Sequence, residues 1–414
     1  MTRSRGPVRR RVLILTTHYY PVLGGVESHA RDVATGLRAR GRRVIVLTTR
    51  HAATDRPVQR IDGVPVVRTA PSIGRRKGTK WLFLPVAIVT TIRMRRHVDV
   101  IFVPDLRGLG LAGIVAGWWI DVPVVIQGAT PGAFAQAHWD AAMAAMPIRP
   151  PRWLVNGLRR VVFAVHRRAQ AATCITREHQ AEARASGIAA DRVHYVPHGV
   201  DTARFAPVDE AARRALRARL GWPDEGPVVV FLGRLSREKG VLELIEAWSA
   251  IVRPGATLVI VGPDMTGHAL DAGPAARAAV EARQLRGVIF AGPADDPVPY
   301  LQAADILVQP SHYEAFPVTV IEAMACGLAV AASFVGGLRD YLVDGANALV
   351  FPPHDPAAIA RALGALLDDE ALRGRLAAAG RAVVLAQFDR RGNLDAYERI
   401  FDTAPRPSAD ERSA

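Results

Sequence analysis

Short apolar runs separated by glycine, proline and polar residues recur along the chain of 414 residues. Each half opens with the same order of segments: a run such as VLILT or VVVFLG, a loop, an amphipathic stretch, and a second run such as VIVLTT or TLVIVG. Runs rich in β-branched residues without polar alternation are typical of strands that helices cover on both faces. The pattern therefore predicts an α/β protein with two doubly wound parallel-sheet domains in tandem.

Proline and glycine concentrate in the stretches PHGVDTARFAP and GWPDEGP, and the charged helical segment AARRALRARL lies between them. This change in composition indicates a link between the domains, so we expect one domain over residues 1–205 and the second over residues 206–387. In doubly wound sheets, ligands bind at the carboxyl ends of the strands. Two such domains are therefore expected to face a cleft that holds the ligand.

The formal net charge of +14 rests almost wholly on arginine, because only three of the 53 basic residues are lysines. Two segments, 74–97 and 151–170, combine apolar stretches with basic clusters. Helices of this composition lie in the headgroup region of anionic membranes, but the composition also suits a helix that packs on its own domain with a solvated basic face. Both interpretations stay open. The sequence has no aromatic-interleaved basic strands or zinc-finger spacing, so nucleic acid is not an expected partner.

No apolar run reaches the roughly 20 residues that span a bilayer. The basic start MTRSRGPVRRR leads into a short apolar run that lacks the cleavage site of a signal peptide. Cys174 and Cys326 are the only cysteines, so the sequence implies neither a disulfide framework nor a cysteine-based metal site. These features favour a cytoplasmic protein, peripheral on the inner face of the plasma membrane if the basic segments bind lipid.

Two carboxylates, Glu314 and Glu322, stand in a window rich in small and apolar residues, where an ionised acid is costly to bury without a partner. The segment VTVIEAMA predicts a buried helix that starts near Phe316 and Pro317, and a helix N-terminus suits phosphate. At ~1.5 Å per residue the two acids would lie roughly 12 Å apart, about the distance between the ribose and the sugar of a nucleotide-diphosphate sugar. The spacing fits two acids that grip hydroxyls on either side of a pyrophosphate, and equally a surface acid plus a helix-capping acid.

Arg234 and Lys239 occupy the loop after the first strand of the second half, where anionic phosphates are expected. Lysine is so rare here that a specific need for a compact ammonium is a plausible reason for Lys239, although ordinary exposed loop charge is the alternative. Gly24 and Gly25 follow the first strand of the first half and allow close backbone approach or positive φ, a weak signal. The sequence shows no metal-ligand spacing, Ser-His-Asp spacing or P-loop motif, which leaves hydrolase and P-loop functions unsupported.

Seven segments in order along the chain match one known family. They are GGVESHARDVATGLRARGRRVIVLTT (24–49), VPHGVDTARF (196–205), FLGRLSREKGVLELIEAW (231–248), IVGP (260–263), ADILVQPSHYEAFPVTVIEAMACGLAVAAS (304–333), GGLRDYLVDGANALVFPPHD (336–355) and FDRRGNLDAYERIF (388–401). Together they resemble glycosyltransferase family 4, retaining nucleotide-sugar enzymes with two Rossmann-like domains in the GT-B architecture. The resemblance implies that a helix over 388–405 returns to complete the first domain, which leaves 406–414 as a disordered tail.

The resemblance also implies roles for the candidate residues. Glu314 would lie by the donor sugar and Glu322 would bind the ribose, while Arg234 and Lys239 would neutralise the pyrophosphate of a UDP- or GDP-sugar. Backbone amides near Ala315 and Phe316, and the loop at Gly24 and Gly25, would complete the phosphate cradle. Transfer would retain the anomeric configuration and would need no divalent metal and no cofactor. The acceptor would be a glycan or a lipid, and the basic apolar segments 74–97 and 151–170 favour a membrane lipid or a lipid-linked glycan of cell-envelope or polysaccharide biosynthesis.

The chain departs from the family in several places. The first-domain loops FVPDLRG and VIQGATPG lack the usual histidine, and the sequence leaves open whether Gln127 or Asp105 replaces it as a catalytic residue. Pro317 removes one backbone donor from the family's E-G-F-G pattern, and Asp340 replaces a glutamate. The missing histidine keeps a noncatalytic nucleotide-sugar-binding protein open as an alternative. A nucleotide-sugar epimerase of the same architecture is a second alternative, which would need acid and base residues that the sequence does not reveal.

Overall fold

A computed structural model describes residues 9–22, 24–52, 55–72, 80–129, 132, 134, 151–251 and 253–408. The chain divides into two compact units, the first formed by Met1–Pro197 with Asn393–Ala414 and the second by His198–Gly392. The boundary at residue 197 lies before the expected one at 205. The reason is that Val200 pairs with Asp389 and donates its amide to Phe388, so this segment belongs to the second unit.

Within the described residues the first unit contains an eight-stranded sheet in the order β3-β4-β2-β1-β5-β6-β7-β8. All neighbouring strands are parallel except β3 and β4, which form an antiparallel pair. The strands are β1 (Val12–Leu15), β2 (Val44–Arg50), β3 (Val58–Ile61), β4 (Val64–Ser72), β5 (Val100–Val103), β6 (Val124–Gly128), β7 (Ala171–Cys174) and β8 (Val193–Tyr195). Every residue of β1 and β5 is buried, as expected of central strands that helices cover on both faces, and this explains why both segments are continuously apolar.

The helices of the first unit cover its sheet from both sides. They are α1 (Gly25–Ala39), α2 (Lys80–Arg93), α3 (Leu106–Ile120), α4 (Arg152–His166) and α5 (Arg177–Ala185). The last helix of the chain, named α13 below, also packs here through Leu394, Tyr397 and Phe401, which join the buried core around β1 and β5. The rings of Tyr397 and Phe401 lie 5.3 and 5.4 Å from that of Phe102, a spacing typical of favourable aromatic contact.

The second unit contains, in the part of the chain that is described, a six-stranded parallel sheet in the order β11-β10-β9-β12-β13-β14. Its strands are β9 (Val228–Leu232), β10 (Thr257–Val261), β11 (Val288–Gly292), β12 (Ile306–Gln309), β13 (Ala329–Ser333) and β14 (Leu349–Phe351). Its helices are α6 (Glu210–Leu220), α7 (Val241–Ser249), α8 (Gly273–Ala282), α9 (Val298–Ala303), α10 (Val318–Ala325), α11 (Pro356–Asp368) and α12 (Glu370–Gln387), and α13 (Arg390–Thr403) follows.

Both units thus have the strand order of doubly wound α/β sheets, in which successive connections build outward from a central pair of strands. The predicted fold class, two parallel-sheet α/β domains, is confirmed. Of the expected tail, residues 409–414 lie outside the described residues, whereas Arg406 forms an ion pair with Asp121 at 3.2 Å. Among the described helices, none is both long and apolar enough to cross a membrane.

Candidate functional site

The strand order of the second unit brings two loops together. β9 and β12 are neighbours, with Ile306 opposite Val229, and the chain leaves them toward opposite sides of the sheet. The connections that follow such a strand pair run toward opposite edges of the sheet, and the crevice at the carboxyl ends of the two strands is where doubly wound sheets bind ligands. Residues 233–240 follow β9 and residues 310–317 follow β12. The fold therefore places the candidate residues of both loops at this switch point.

Lys239 and Glu314 form an ion pair across the two loops. The ammonium Nζ lies 2.5 Å from Glu314 Oε1, and the side chains are 21% and 8% exposed. The same oxygen accepts hydrogen bonds from Gln309 Nε2 at 2.9 Å and Ser311 Oγ at 2.7 Å. A carboxylate this buried is stable only with such partners. The ammonium carries three donor hydrogens, so it can also contact an anionic ligand.

Two close backbone approaches fix these loops. Gly240 has φ +69°, and a Cβ there would lie 2.0 Å from the carbonyl oxygen of Pro310, so the loop after β9 touches the loop after β12. Gly336 has φ +47°, and its Cβ would lie 1.7 Å from the carbonyl oxygen of Glu314. Gly337 donates its amide to that same oxygen at 3.3 Å. Only glycine fits such contacts at positive φ, and the backbone of Glu314 is held in place as a result.

Arg234 lies six positions after the start of β9 and is exposed. In the described part of the chain its guanidinium has no hydrogen-bond or ion-pair partner, while its neighbour Leu235 anchors the loop by donating its amide to Pro263. The loop therefore presents two cations of different kinds. Lys239 is engaged by a buried carboxylate, and Arg234 is available to an anion.

The helix predicted over VTVIEAMA is present as α10, and it begins one residue later than Pro317, which occupies the N-cap position with φ −77° and ψ 104°. Ala315 and Phe316 lie immediately before it, and Gly337 donates its amide to the carbonyl of Ala315 at 3.1 Å. Glu322 is half-buried within α10, in its second turn. The N-terminus of α10 thus points its positive dipole end toward the same loop as Glu314.

The ring of Phe316 belongs to a buried aromatic cluster of the second unit. Its centroid lies 5.4 Å from His198, 5.7 Å from Tyr341 and 5.7 Å from Phe388. Only 6% of Phe316 is exposed. The side chain therefore anchors the loop, and the part of Phe316 that remains for a ligand is its backbone.

Gly24 and Gly25 lie at the N-terminus of α1 in the first unit. Gly24 is the N-cap residue with an extended φ of −172°, and Gly25 is the first helical residue. Neither has positive φ, and a Cβ on Gly25 would meet nothing within 4 Å. Positive φ is therefore not why glycine stands here, and what the pair contributes is bare backbone at the start of a 15-residue helix.

Gln127 lies at the end of β6 with no exposed surface. Its Oε1 lies 3.2 Å from His29 Nε2 and accepts a hydrogen bond from the Tyr397 hydroxyl at 3.1 Å, and His29 Nε2 lies 2.9 Å from that hydroxyl. Burial lowers the pKa of His29 to about 4, so this histidine is neutral near pH 7. Through its Oε1, Gln127 thus ties α1 and α13 to the sheet, whereas its Nε2 has no hydrogen-bond partner among the described residues. Its catalytic role stays a prediction.

Asp105 lies directly before α3 and is half-buried. This position at a helix start suits a carboxylate that caps the helix. The two residues that the sequence offered in place of a histidine therefore occupy different environments in the first unit. His29, which lies in α1 rather than after an inner strand, had no distinguishing signal in the sequence.

Both cysteines are buried, and burial raises the pKa of Cys174 and of Cys326 to about 12. Thiols with such pKa values stay protonated at neutral pH and are poor nucleophiles. Cysteine chemistry is therefore not part of the site.

Comparisons with known proteins agree with the two-unit division. Residues 23–204 match the family described as Glycosyltransferase Family 4, and residues 212–383 match the family described as Glycosyl transferases group 1. The chain is 32% identical over 410 residues to a D-inositol 3-phosphate glycosyltransferase from Xylanimonas cellulosilytica, covering 92% of this chain and 93% of that protein.

Two solved structures share the fold at lower identity. Sucrose-phosphate synthase from Thermosynechococcus elongatus superposes with a TM-score of 0.75 at 22% identity, covering 95% of this chain and 98% of that one. Anabaena Alr3699/HepE in complex with UDP superposes with a TM-score of 0.75 at 21% identity, covering 95% of this chain and 100% of that one.

Proposed function

The chain belongs to glycosyltransferase family 4, and on that basis we propose that it is a retaining enzyme that transfers a sugar from a UDP- or GDP-sugar to an acceptor. The observation that carries the proposal is the pair of Lys239 and Glu314 beside the exposed Arg234, at the strand switch point of the second unit. A buried carboxylate, a compact ammonium and an open guanidinium suit a sugar diphosphate, which joins hydroxyl groups to two anionic phosphates.

In the proposed complex, Arg234 and Lys239 neutralise the pyrophosphate. The amides near Ala315 and Phe316 add donors, and the N-terminus of α10 adds its dipole. Glu322, further along α10, accepts hydrogen bonds from the ribose hydroxyls. Glu314 keeps one oxygen for Lys239, which leaves the other for a hydroxyl of the donor sugar.

The chemical task of this arrangement is to stabilise a departing nucleoside diphosphate. Preorganised positive groups aimed at developing negative charge lower a barrier by about 3 kcal/mol per donor in comparable sites. In our proposal these cations supply the charge stabilisation for departure without a divalent metal, and no cofactor takes part. The acceptor attacks from the face that the leaving group vacates, so configuration is retained and no enzyme carboxylate acts as the nucleophile.

A panel of nucleotide sugars tests the donor proposal. We expect UDP or GDP to raise the melting temperature of the full chain, with the matching sugar nucleotide hydrolysed slowly in the absence of acceptor. The anomeric configuration of the released or transferred sugar, followed by NMR, reports retention. Binding without turnover would support a noncatalytic nucleotide-sugar-binding protein, and a new epimer of the donor would support an epimerase.

We further propose that the first unit receives an anionic acceptor at a membrane surface. Its helix α4 exposes 74% of Trp153 and 58% of Val161, and the C-terminal turn of α3 exposes 76% of Trp119. Large exposed aromatic side chains are costly in water and favourable at the headgroup level of a bilayer. Of the other basic segment, 74–97, residues 74–79 lie outside the described residues, so this argument rests on α3 and α4.

A pocket of about 580 Å³ adjoins α4. It is lined by Phe134, Arg159, Arg160, Phe163, Arg167, Glu182, Ala185 and Ser186. Three arginines against one carboxylate favour a phosphate, which is present both in anionic lipid headgroups and in phosphorylated polyols. The first of these acceptors would place the enzyme on the inner face of the plasma membrane, and the second would leave it in solution.

Vesicle sedimentation distinguishes the two acceptors. We expect the full chain to pellet with phosphatidylglycerol vesicles at low salt but not with phosphatidylcholine, and a Trp153→Ala/Arg160→Ala variant to pellet less. Arg214→Ala is the control, because it removes one positive charge, as the double variant does, from an exposed position of the second unit. Equal pelleting with both lipids would reject the membrane proposal, and transfer to inositol phosphate in solution would favour the soluble acceptor.

A further inference from the structure

Near the Lys239–Glu314 pair, one carboxylate and two imidazole side chains form a second cluster of polar groups around the loop after β12. Glu243 lies on α7, His312 lies two residues before Glu314, and His354 lies between β14 and α11. Glu243 Oε1 lies 3.0 Å from His312 Nε2 and 4.0 Å from His354 Nδ1, and one ligand atom from each residue fits within 4.8 Å of the others. We propose that this cluster binds Zn²⁺.

The donor set and its spacing fit a tetrahedral ion. Zn²⁺ bound by imidazole nitrogen or carboxylate oxygen at about 2.0–2.1 Å requires ligand atoms about 3.3 Å apart. Two of the three ligand-atom distances, 3.0 and 4.0 Å, bracket that value, and the third is no more than 4.8 Å. We expect side-chain rotations on ion binding to bring the three atoms to the tetrahedral spacing. The two imidazole nitrogens favour zinc over magnesium or calcium, which prefer oxygen ligands, and a glutamate oxygen is an accepted third ligand of zinc.

Two further observations indicate a cation at this place. Glu243 Oε2 is buried and has no hydrogen-bond partner among the described residues. His354 has φ +61°, a left-handed conformation that costs a non-glycine residue about 1 kcal/mol or more. That conformation holds its ring 3.7 Å from the ring of His312, so two imidazoles and a carboxylate converge on one point. A cation that the Glu243 carboxylate binds through both of its oxygens would give Oε2 a partner, and ligation by His354 would account for the left-handed backbone of that residue.

The cluster is open on one side, because 62% of the His354 side chain is exposed. The neighbouring Asp355 accepts the amide of Ala358 as the N-cap of α11 and thereby fixes the loop. Water can therefore reach the ion and provide its fourth ligand, as in zinc sites with three protein ligands.

This zinc would position the donor loops without touching the donor. The amide of His312 donates to the carbonyl of Glu238 at 2.8 Å, and Ser311 donates to Glu314 at 2.7 Å. An ion held by Glu243 and His312 would cross-link α7 to the loop that carries Glu314. We expect it to rigidify this loop and lower the KM for the donor, with a smaller effect on kcat.

Metal binding is measured directly, so its outcome does not depend on the proposed transferase activity. The full chain is stripped with chelator and titrated with Zn²⁺ by calorimetry, and with Co²⁺ by visible absorption. We expect one Zn²⁺ per chain and the intense d–d bands of tetrahedral Co²⁺. Glu243→Gln and His354→Asn should each weaken Zn²⁺ binding at least tenfold, and His268→Asn, an exposed histidine of the same unit, should not change it.

Asparagine tolerates left-handed φ, so the His354→Asn variant is expected to fold, and circular dichroism of both metal-free variants checks this. Zn²⁺ binding of equal affinity in wild type and both variants would place the ion elsewhere and overturn the proposal. The absence of stoichiometric Zn²⁺ binding to the wild-type chain would overturn it as well.

Discussion

Replacing Lys239 by alanine removes the ammonium from the switch point and separates its two predicted roles, in stability and in catalysis. Glu314, whose side chain is 8% exposed, would keep the hydrogen bonds from Gln309 and Ser311 but lose its only cationic partner among the described residues. Loss of a charged hydrogen bond to a buried carboxylate costs about 2 kcal/mol. This cost is lower than that of breaking a fully buried ion pair, because Lys239 is 21% exposed and solvent screens the charge that is left on Glu314.

In a unit of this size, about 2 kcal/mol lowers the melting temperature by roughly 4–8 °C. The catalytic loss is expected to be larger. Removing one positive group from a developing diphosphate costs about 3 kcal/mol, on the order of 100-fold in kcat/KM. Steady-state hydrolysis or transfer with the preferred nucleotide sugar measures the second quantity, and differential scanning fluorimetry measures the first.

A double variant separates the two effects. Adding Glu314→Gln to Lys239→Ala removes the uncompensated buried charge, so the melting temperature should recover by several degrees while kcat/KM stays low. Arg237→Ala is the matched control, because Arg237 is an exposed cation of the same short 3-10 turn, Arg237–Lys239. If Lys239→Ala retained kcat/KM within about threefold of Arg237→Ala, the assignment of Lys239 to the diphosphate would be refuted.

Three further outcomes follow from the same structure. Glu322→Gln should raise the donor KM about tenfold with a smaller change in kcat, because a ribose contact made equally in ground and transition states affects binding; an unchanged KM would remove Glu322 from the donor site. Tyr397→Phe should lower stability by about 1 kcal/mol by deleting its hydrogen bonds to Gln127 and His29, with donor KM unchanged; a changed donor KM would contradict a purely structural role. Burial lowers the pKa of His29, and of two other histidines of the first unit, to about 4. Since the unfolded chain takes up these protons near pH 6.5, stability should be complete above that pH and fall as the pH drops toward 4; melting curves that stay flat over this range would argue against the burial.

The candidate residues of the proposed donor site could be singled out because each carries a local signal. Glu314 is an acid among apolar residues before a helix, and Lys239 is a rare lysine in a loop after a strand. That the two side chains meet could not be predicted from the loops alone. Their contact depends on β9 lying beside β12, which is a property of the strand order.

The role of Gln127 could not be predicted for a related reason. The residue follows an inner strand, as expected of a substrate-contacting position, but its partners His29 and Tyr397 stand 98 and 270 residues away along the chain. No local pattern in the sequence indicates that this side chain contacts a buried histidine and a buried tyrosine. Those contacts depend on long-range packing.

The histidines and glutamate of the proposed zinc site were missed for the same reason. Glu243, His312 and His354 come from a helix and two loops far apart in sequence, so no metal-ligand spacing is visible. Conversely, the helix start near Pro317 was predicted to within one residue, because proline restricts the local backbone whatever lies around it. Local features such as a helix start can be predicted from the sequence, whereas contacts between residues of distant segments cannot.

A crystal structure of the full chain with bound UDP or GDP, chosen by the thermal-shift screen, tests the assignment of the donor site most directly. The diphosphate is predicted to lie within about 3 Å of both the Arg234 guanidinium and the Lys239 ammonium, with the ribose hydroxyls on Glu322. A nucleotide bound in the first unit, or in the second unit away from the loops after β9 and β12, would contradict it.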